Sequence, residues 1–395
     1  MQHKILYLTP YSPMLNGIAD YAVAYKNAIE TYTDWSLEVY EPGNQLTGST
    51  LSDLRTIRQR VTRWRDERAL SGIALIHAEV GYRQQDTFYT LYWLRKLLPR
   101  VPFCVTVHDP PLVIAPVLKP LSLGTDATPV KRLLRMLDYT PLSKRIIRSV
   151  LGHAAQLLVL SDPGTRALRR VLPSHPYLRS LPFLTYRRDR PALRKRHTGP
   201  VTILFAGFWA PSKGIGVLLK AVERISAGAS SNSPAVRLLL GGGAEQSRAG
   251  QRYLSETLRS IKSSPAHAAV EVPGYIPAAE LDAAFDAADI FVLPATGATG
   301  YSSSSVLFRA MTAGLPIVAT TVGAVGEEIR HEETGLLVNP GDADSLAEAL
   351  ERLVNDPLLR QCLGTQAQDH IYAEHSQEHV ARIVGGIYDR IAATK

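Results

Sequence analysis

Two cysteines, Cys104 and Cys362, are all that 395 residues contain, and they lie far apart in segments that read as buried. No CxxC pair or metal-ligand spacing can be built from them. That excludes a disulfide framework and a thiolate metal centre, and it points to a reducing compartment. No apolar run approaches the ~20 residues that span a bilayer. The N-terminal MQHKILYLTPYSP passes straight into a strand pattern without a signal-peptide core, so a cytoplasmic location is expected. Several motifs are also missing. Gly214 and Gly216 are followed by Leu219, so Gly-x-Gly-x-x-Gly is not formed, and no Walker lysine pattern occurs. A nucleophile elbow would need glycine where Ser304 stands, which leaves an esterase without its main support. Asp342-Ala343-Asp344 could pass for a metal site, but it heads the helix pattern GDADSLAEAL, where capping is the expected role. No metal is expected.

Acidic residues are scarce in the first half. Residues 1–197 hold 29 Lys and Arg against 15 Asp and Glu, whereas the remainder holds 15 against 21. Basic clusters at Arg55–Arg68, Lys131–Arg148 and Arg166–Arg196 suggest an anionic partner such as a membrane surface, or simply solvated helix faces. The clusters lack interleaved aromatics and any reading motif, so nucleic acid is not expected. An apolar fraction of 45% with 20% charged residues describes a globular chain, and its length fits two domains.

The chain then alternates strand and helix patterns, which implies parallel sheets with right-handed crossovers, an α/β protein. Ile5–Leu8 reads as a buried strand, followed by the loop YSPMLNGIAD and a helix. Gly17 stands where loop meets helix and would let backbone amides approach a ligand; Asp20 lies one turn in, either a ligand contact or an acid complementing the helix dipole. Glu79, in HAEVGY, and His108, in VTVHDPP, each follow or close a strand, where such sheets carry their ligand crevice. The 110–140 segment is Pro-rich and irregular. Pro141–Leu151 forms a basic amphipathic helix that could rest on an anionic membrane or pack in the core. A charged, Pro-interrupted hinge near Arg187–Gly199 separates an N-terminal domain, 1–190, from a second, 198–375. In the second, VTILFAGFWAPSKG places Gly207 at a strand end and Lys213 beside a helix start, an arrangement suited to a diphosphate. The stretch Asp289–Val338 organises the rest: a strand Ile290–Leu293, a small-residue loop, and a helix from about Val306 to Ala313. Ser302, Ser303, Ser304 and Ser305 sit at that helix start, and one of the last two is a natural N-cap.

AGFWAPSKG, LLLGGG, VPGYIP, AADIFVLP, AMTAGLPIVAT and EETGLLVNPGDADSLAEAL, in that order, resemble retaining glycosyltransferases of family 4. GIADYA and VHDP are similar to that family too. The resemblance implies the GT-B architecture, two Rossmann-like domains facing each other across a cleft, with a C-terminal helix, about 376–395, packing back on the first. It implies a nucleoside-diphosphate-sugar donor, UDP- or GDP-linked, on the second domain and the acceptor on the first, with no metal and no further cofactor. Lys213 matches the lysine that binds the donor diphosphate, Gly17 the first-loop glycine, and His108 the histidine near the transferred sugar. Tyr275 and Ile276 match the segment beside the nucleobase. The chain departs from the family at three positions: Phe208 stands where an arginine is usual, and Tyr301 and Arg309 replace a pair of glutamates flanking the donor loop. Arg309 cannot accept hydrogen bonds from ribose hydroxyls but could fork onto a phosphate or acidic sugar, or lie on a helix surface.

The expected protein is therefore a retaining, metal-independent glycosyltransferase of bacterial surface-polysaccharide or glycoconjugate synthesis, cytoplasmic and in peripheral contact with the inner face of the membrane. Its acceptor would be a glycan, a lipid-linked or a small hydroxyl compound. Gly17, Gly207, Phe208, Lys213, Tyr275, Ile276, Tyr301, the four serines, Val306 and Arg309 would surround the donor, and Asp20 and Glu79 the acceptor. The alternatives are a degenerate partner subunit that binds a nucleotide or another transferase, and a nucleotide-sugar epimerase.

Overall fold

The computed structural model describes residues 3–10, 17–42, 50–67, 72–81, 85–110, 141–186, 189–190, 199–228, 233–244, 248–297 and 304–394. Tyr301, Ser302 and Ser303 lie outside them, as does the Pro-rich stretch after Pro110. The chain divides into two compact units. Met1–Leu184 with Gln377–Lys395 make the first; Thr185–Thr299 and Ser304–Ser376 belong to the second.

The first unit is built on six strands: β1 (His3–Leu8), β2 (Trp35–Tyr40), β3 (Ile73–Val80), β4 (Phe103–Val107), β5 (Gln156–Val159) and β6 (Leu178–Ser180). They pair in the order β2-β1-β3-β4-β5-β6, all parallel. Helices α1 (Gly17–Tyr32), α2 (Thr50–Glu67), α3 (Gln85–Leu97), α4 (Pro141–Leu151) and α5 (Asp162–Val171) connect them. Both sheet faces are covered, so the inner strands read as unbroken apolar runs such as FCVTV, every residue of which is buried. Ile147, Val150 and Leu151 place the apolar stripe of α4 in this core. Of the two readings of this helix, membrane contact or core packing, the apolar stripe takes the second. Ser161 caps α5, accepting from the Gly164 N–H.

The second unit repeats the plan with β7 (Val201–Ala206), α6 (Ile215–Gly228), β8 (Val236–Gly241), α7 (Arg248–Ser263), β9 (Val270–Gly274), α8 (Ala278–Ala287) and β10 (Ile290–Leu293). It continues through α9 (Ser305–Thr312), β11 (Ile317–Thr320), α10 (Val325–Glu328), β12 (Leu336–Val338), α11 (Ala343–Asn355) and α12 (Pro357–Glu374). Its parallel order is β12-β11-β10-β7-β8-β9. Asp342 caps α11 with its carboxylate on the Asp344 and Ser345 amides, the capping role read from the sequence. Cys104 is buried, but Cys362 is exposed on α12, against expectation, because that helix buries Leu363, Ala367 and Ile371 instead. The chain ends in α13 (Gln377–Ala393), which packs on α1 and belongs to the first unit. Its buried face is Val380, Val384, Ile387, Tyr388 and Ile391, with Ile383 only half-buried. Among the described residues no helix is long and apolar enough to cross a membrane.

In each sheet the strand order reverses once, between β1 and β3 and between β7 and β10. Loops at the carboxyl ends of strands beside such a reversal diverge and leave a crevice, the usual ligand position in open parallel sheets.

Candidate active site

At the carboxyl edge of the second sheet, backbone contacts bring distant sequence motifs together. The Gly207 N–H donates to the Gly241 carbonyl at 3.2 Å, Trp209 N–H to Gly243 at 2.8 Å, and Gly242 N–H to Gly274 at 2.7 Å. Gly242 needs its missing side chain: at φ 131° an added Cβ would lie 1.9 Å from the Gly207 oxygen. Across the strand reversal, Lys213 ends a single 3-10 turn, Pro211–Lys213, and is half-buried. Gly214 follows at φ 72°, so close to the Pro294 carbonyl that a Cβ there would sit at 1.7 Å. The Thr296 N–H donates to Ser212 O at 2.9 Å, so the loops after β7 and β10 are tied directly.

Other expected donor residues gather on this edge. Phe208 and Tyr275 are each 50% exposed, unusual for aromatics of their size, while Ile276 packs on Gly241. Trp209 is buried, and its indole N–H has no partner among the described residues; a ligand or ordered water would complete such a donor. Ser304 occupies the N-cap of α9, but its hydroxyl makes no capping bond. Ser305 and Val306 open that helix, half-buried.

The first unit holds a buried polar cluster that the sequence signalled only in part. Glu79 is wholly buried. Its Oε1 accepts from the Tyr7 hydroxyl at 2.8 Å and lies 3.4 Å from His77 Nε2; its Oε2 is 2.6 Å from His108 Nε2. Burial alone would raise the carboxyl pKa, but the hydrogen bonds from His108 and His77 outweigh it and bring it down to about 2. Both oxygens being engaged, Glu79 does not face an acceptor as expected. It holds His108 instead.

Behind it, His77 Nε2 meets Thr106 Oγ1 at 2.8 Å, and His77 Nδ1 bonds the Tyr388 hydroxyl, which lies 2.6 Å from that of Tyr25. Tyr21 packs edge-on against His108 at 5.2 Å. His108 itself sits just past β4, its N–H donating to the Val80 carbonyl. Gly17 opens α1 with open space around it, so the fold does not demand glycine there, and Asp20 lies half-buried in the first turn. His77 and Glu79 alternate onto one face of β3; two polar residues spaced by two inside an apolar strand were the available signal.

Residues 200–356 match the family model for group 1 glycosyl transferases. The described residues of the matched stretch fall within the second unit. The GDP-mannose-dependent monoacylated alpha-(1-6)-phosphatidylinositol monomannoside mannosyltransferase of Corynebacterium glutamicum is 29% identical over 254 residues, 60% of this chain and 63% of that one. The chain spans about half the length of the curated relatives it matches. Among solved structures, Anabaena HepE in complex with UDP and glucose superposes with a TM-score of 0.70 at 16% identity, covering 98% of this chain and 100% of that one. Sucrose-phosphate synthase from Thermosynechococcus elongatus gives 0.70 at 20%, covering both chains fully. These two likenesses are ones of fold: two Rossmann-like domains of the GT-B class.

Within the matched stretch, Arg309 is 9% exposed. Its guanidinium pairs with Asp282 Oδ1 at 2.6 Å and lies 3.9 Å over the Tyr186 ring. It is therefore not a helix-surface arginine. Its charge is already matched by the partly exposed Asp282 carboxylate, and removing that partner would leave the buried guanidinium uncompensated.

Proposed function

We propose that the protein transfers a glycosyl group, with retention, from a nucleoside-diphosphate sugar to a hydroxyl acceptor that is a glycan, a lipid-linked or a small compound. The observation that carries this reading is the pinned pair of loops at the β7/β10 reversal. Gly214 locked on Pro294, and Thr296 bonded to Ser212, set Lys213 beside the loop that leads into α9. An ammonium and unpaired helix amides together suit a diphosphate. HepE, of the same fold, was crystallised with UDP and with UDP-glucose, which supports a nucleotide sugar as donor.

In the proposed reaction the bond from the anomeric carbon to the diphosphate oxygen breaks. The acceptor oxygen bonds the same face, and its proton passes to the departing diphosphate. The protein's task is then to compensate charge on the leaving group, which Lys213, Ser304, Ser305 and the α9 amides would do. Gly207, Phe208, Tyr275 and Ile276 would border the nucleoside. His108, aligned by Glu79, would contact the transferred sugar; Gly17 would approach the donor, and Asp20 would lie toward the acceptor. Tyr301, Ser302 and Ser303 are proposed on sequence grounds alone.

A thermal-shift panel of UDP, GDP, ADP and TDP with their sugars tests the donor site, because a ligand that binds only the folded state raises its stability. Lys213→Ala is expected to weaken the responding nucleotide about 10–100-fold, the loss of a hydrogen bond to a charged group. An unchanged shift would remove the diphosphate assignment. His108→Ala is expected to leave nucleotide affinity intact and to lower turnover about 100-fold; equal loss of both would make it a structural residue. Activity is expected to survive EDTA, and a chelator-sensitive rate restored by a divalent cation would refute metal independence.

A second reading, a nucleotide-binding partner subunit, is favoured by the Arg309–Asp282 pair where a ribose-binding carboxylate is expected. It predicts a nucleotide-dependent shift with no turnover on any donor.

A further inference from the structure

A groove of about 1280 Å³ opens at the amino-terminal edge of the first sheet, where β4 and β5 begin. Arg95 and Lys96 from the end of α3, Arg100 from the turn after it, His153 from the turn after α4, and Arg390 from α13 all line it. Two stretches far apart in the chain, 95–100 and the last helix, thus deliver cations to one concavity beside His153, and no Asp or Glu lines it. Several exposed arginines elsewhere do have carboxylate partners: Arg224 with Asp344 and Glu348, Arg352 with Glu332, Arg382 with Glu378. Arg95, Lys96, Arg100 and Arg390 make no ion pair among the described residues. Arg95 gives one N–H to the Ser149 carbonyl, and Lys96 sits 4.4 Å over the Tyr92 ring. Like charges gathered without counter-charge repel, and an anion in the groove would relieve that repulsion.

The groove is not simply basic. Val101, Phe103 and Ile391 supply apolar walls, and Tyr177 beside them is 60% exposed. It also lies apart from His108: β4 runs five residues between them, about 17 Å at ~3.3 Å per residue.

We propose that this groove binds a phosphate ester carrying at least two negative charges. Three arginines and a lysine exceed what one carboxylate would balance, and guanidinium forks match phosphate oxygens. The volume exceeds that of a bare phosphate, and the organic part lies on Tyr177 and the apolar walls. A soluble phosphorylated compound and the headgroup of an anionic lipid share this chemistry.

Two binding arms separate the sources. Inorganic pyrophosphate is titrated by calorimetry at low salt into the full-length Lys213→Ala protein, which weakens the proposed donor site. Independently, the wild-type chain is pelleted with phosphatidic acid–phosphatidylcholine vesicles, whose phosphomonoester headgroup can carry two charges. Pyrophosphate binding weakened tenfold or more by Arg100→Glu/Arg390→Glu supports the site with a soluble ligand. Pelleting lost in that variant, without pyrophosphate binding, supports it with a lipid headgroup. Arg63→Glu/Arg170→Glu, exposed and outside the groove, makes the same change in charge. Equal loss in this control would show a general charge effect and overturn the proposal, as would no binding in either arm. None of these outcomes depends on whether Lys213 binds a donor.

Discussion

Glu79→Gln is expected to destabilise the first unit by about 3 kcal/mol at neutral pH and to flatten its acid sensitivity. The sign follows from the hydrogen bonds. Glu79 falls from an ordinary value of 4.5 to about 2 in the folded state, driven down by His108 and His77 against the opposing effect of burial. A carboxylate depressed on folding contributes stability that is fully present above its unfolded pKa and disappears as pH falls through the folded one. The window here is pH 4.5 down to 2. About 1.4 kcal/mol per pH unit gives the figure quoted. Glutamine keeps the shape but can carry no charge, and its NH2 turned toward either histidine would face a donor. Hydrogen exchange of the β1 and β3 amides under urea, at pH 7 and pH 3, isolates this unit. The wild type should lose more protection than the variant on acidification; equal losses would mean that Glu79 is not the coupled group. His108 loses its anchor in the same variant, so kcat should fall while nucleotide affinity holds.

Gly214→Ala is expected to cost about 3–5 kcal/mol and to abolish the nucleotide-induced thermal shift, the range where strain and overpacking combine. A left-handed backbone at φ 72° already disfavours a Cβ, and that atom would fall 1.7 Å from the Pro294 oxygen. Carbonyl backbone cannot rotate aside as a side chain would, so the loops must part and the Thr296–Ser212 bond is lost with them. Gly216, two residues on, is the control. It is exposed near the start of α6 with nothing within 4 Å of an added methyl, so alanine there should be neutral or stabilising by up to about 1 kcal/mol. If both substitutions behave alike, the loop contact has no part in shaping the diphosphate site.

The strands were legible because each is buried on both faces: ILYL, VTILFA and IFVL leave little choice of register or class. The helix around Val306 was legible from its stops, Gly314 and Pro316, to within one residue at either end. What sequence did not disclose were the contacts that need three dimensions. Gly214 and Gly242 read as loop glycines, and only the structure sets them against the carbonyls of Pro294 and Gly207. Glu79 was noticed as a strand-end acid, but its partners come from β1, its own strand β3 and the His108 loop, and Tyr388 approaches His77 from 311 positions away. Arg309 was read as a helix residue open to a ligand; Asp282, on another helix, pairs with it.

The first unit is assembled from the two ends of the chain, since α13 supplies Tyr388 to the cluster around His77. On the ribosome this imposes an order of events. The sheet ending at β6 emerges long before α13, and at roughly 5–20 residues per second the wait is about 10–40 s. Throughout that interval the groups that will bond Tyr388, His77 and Tyr25, stand without their lid, while the entire second unit is synthesised and free to fold. A chain cut after Ser376 would keep the whole second unit attached to an N-terminal half that never closes.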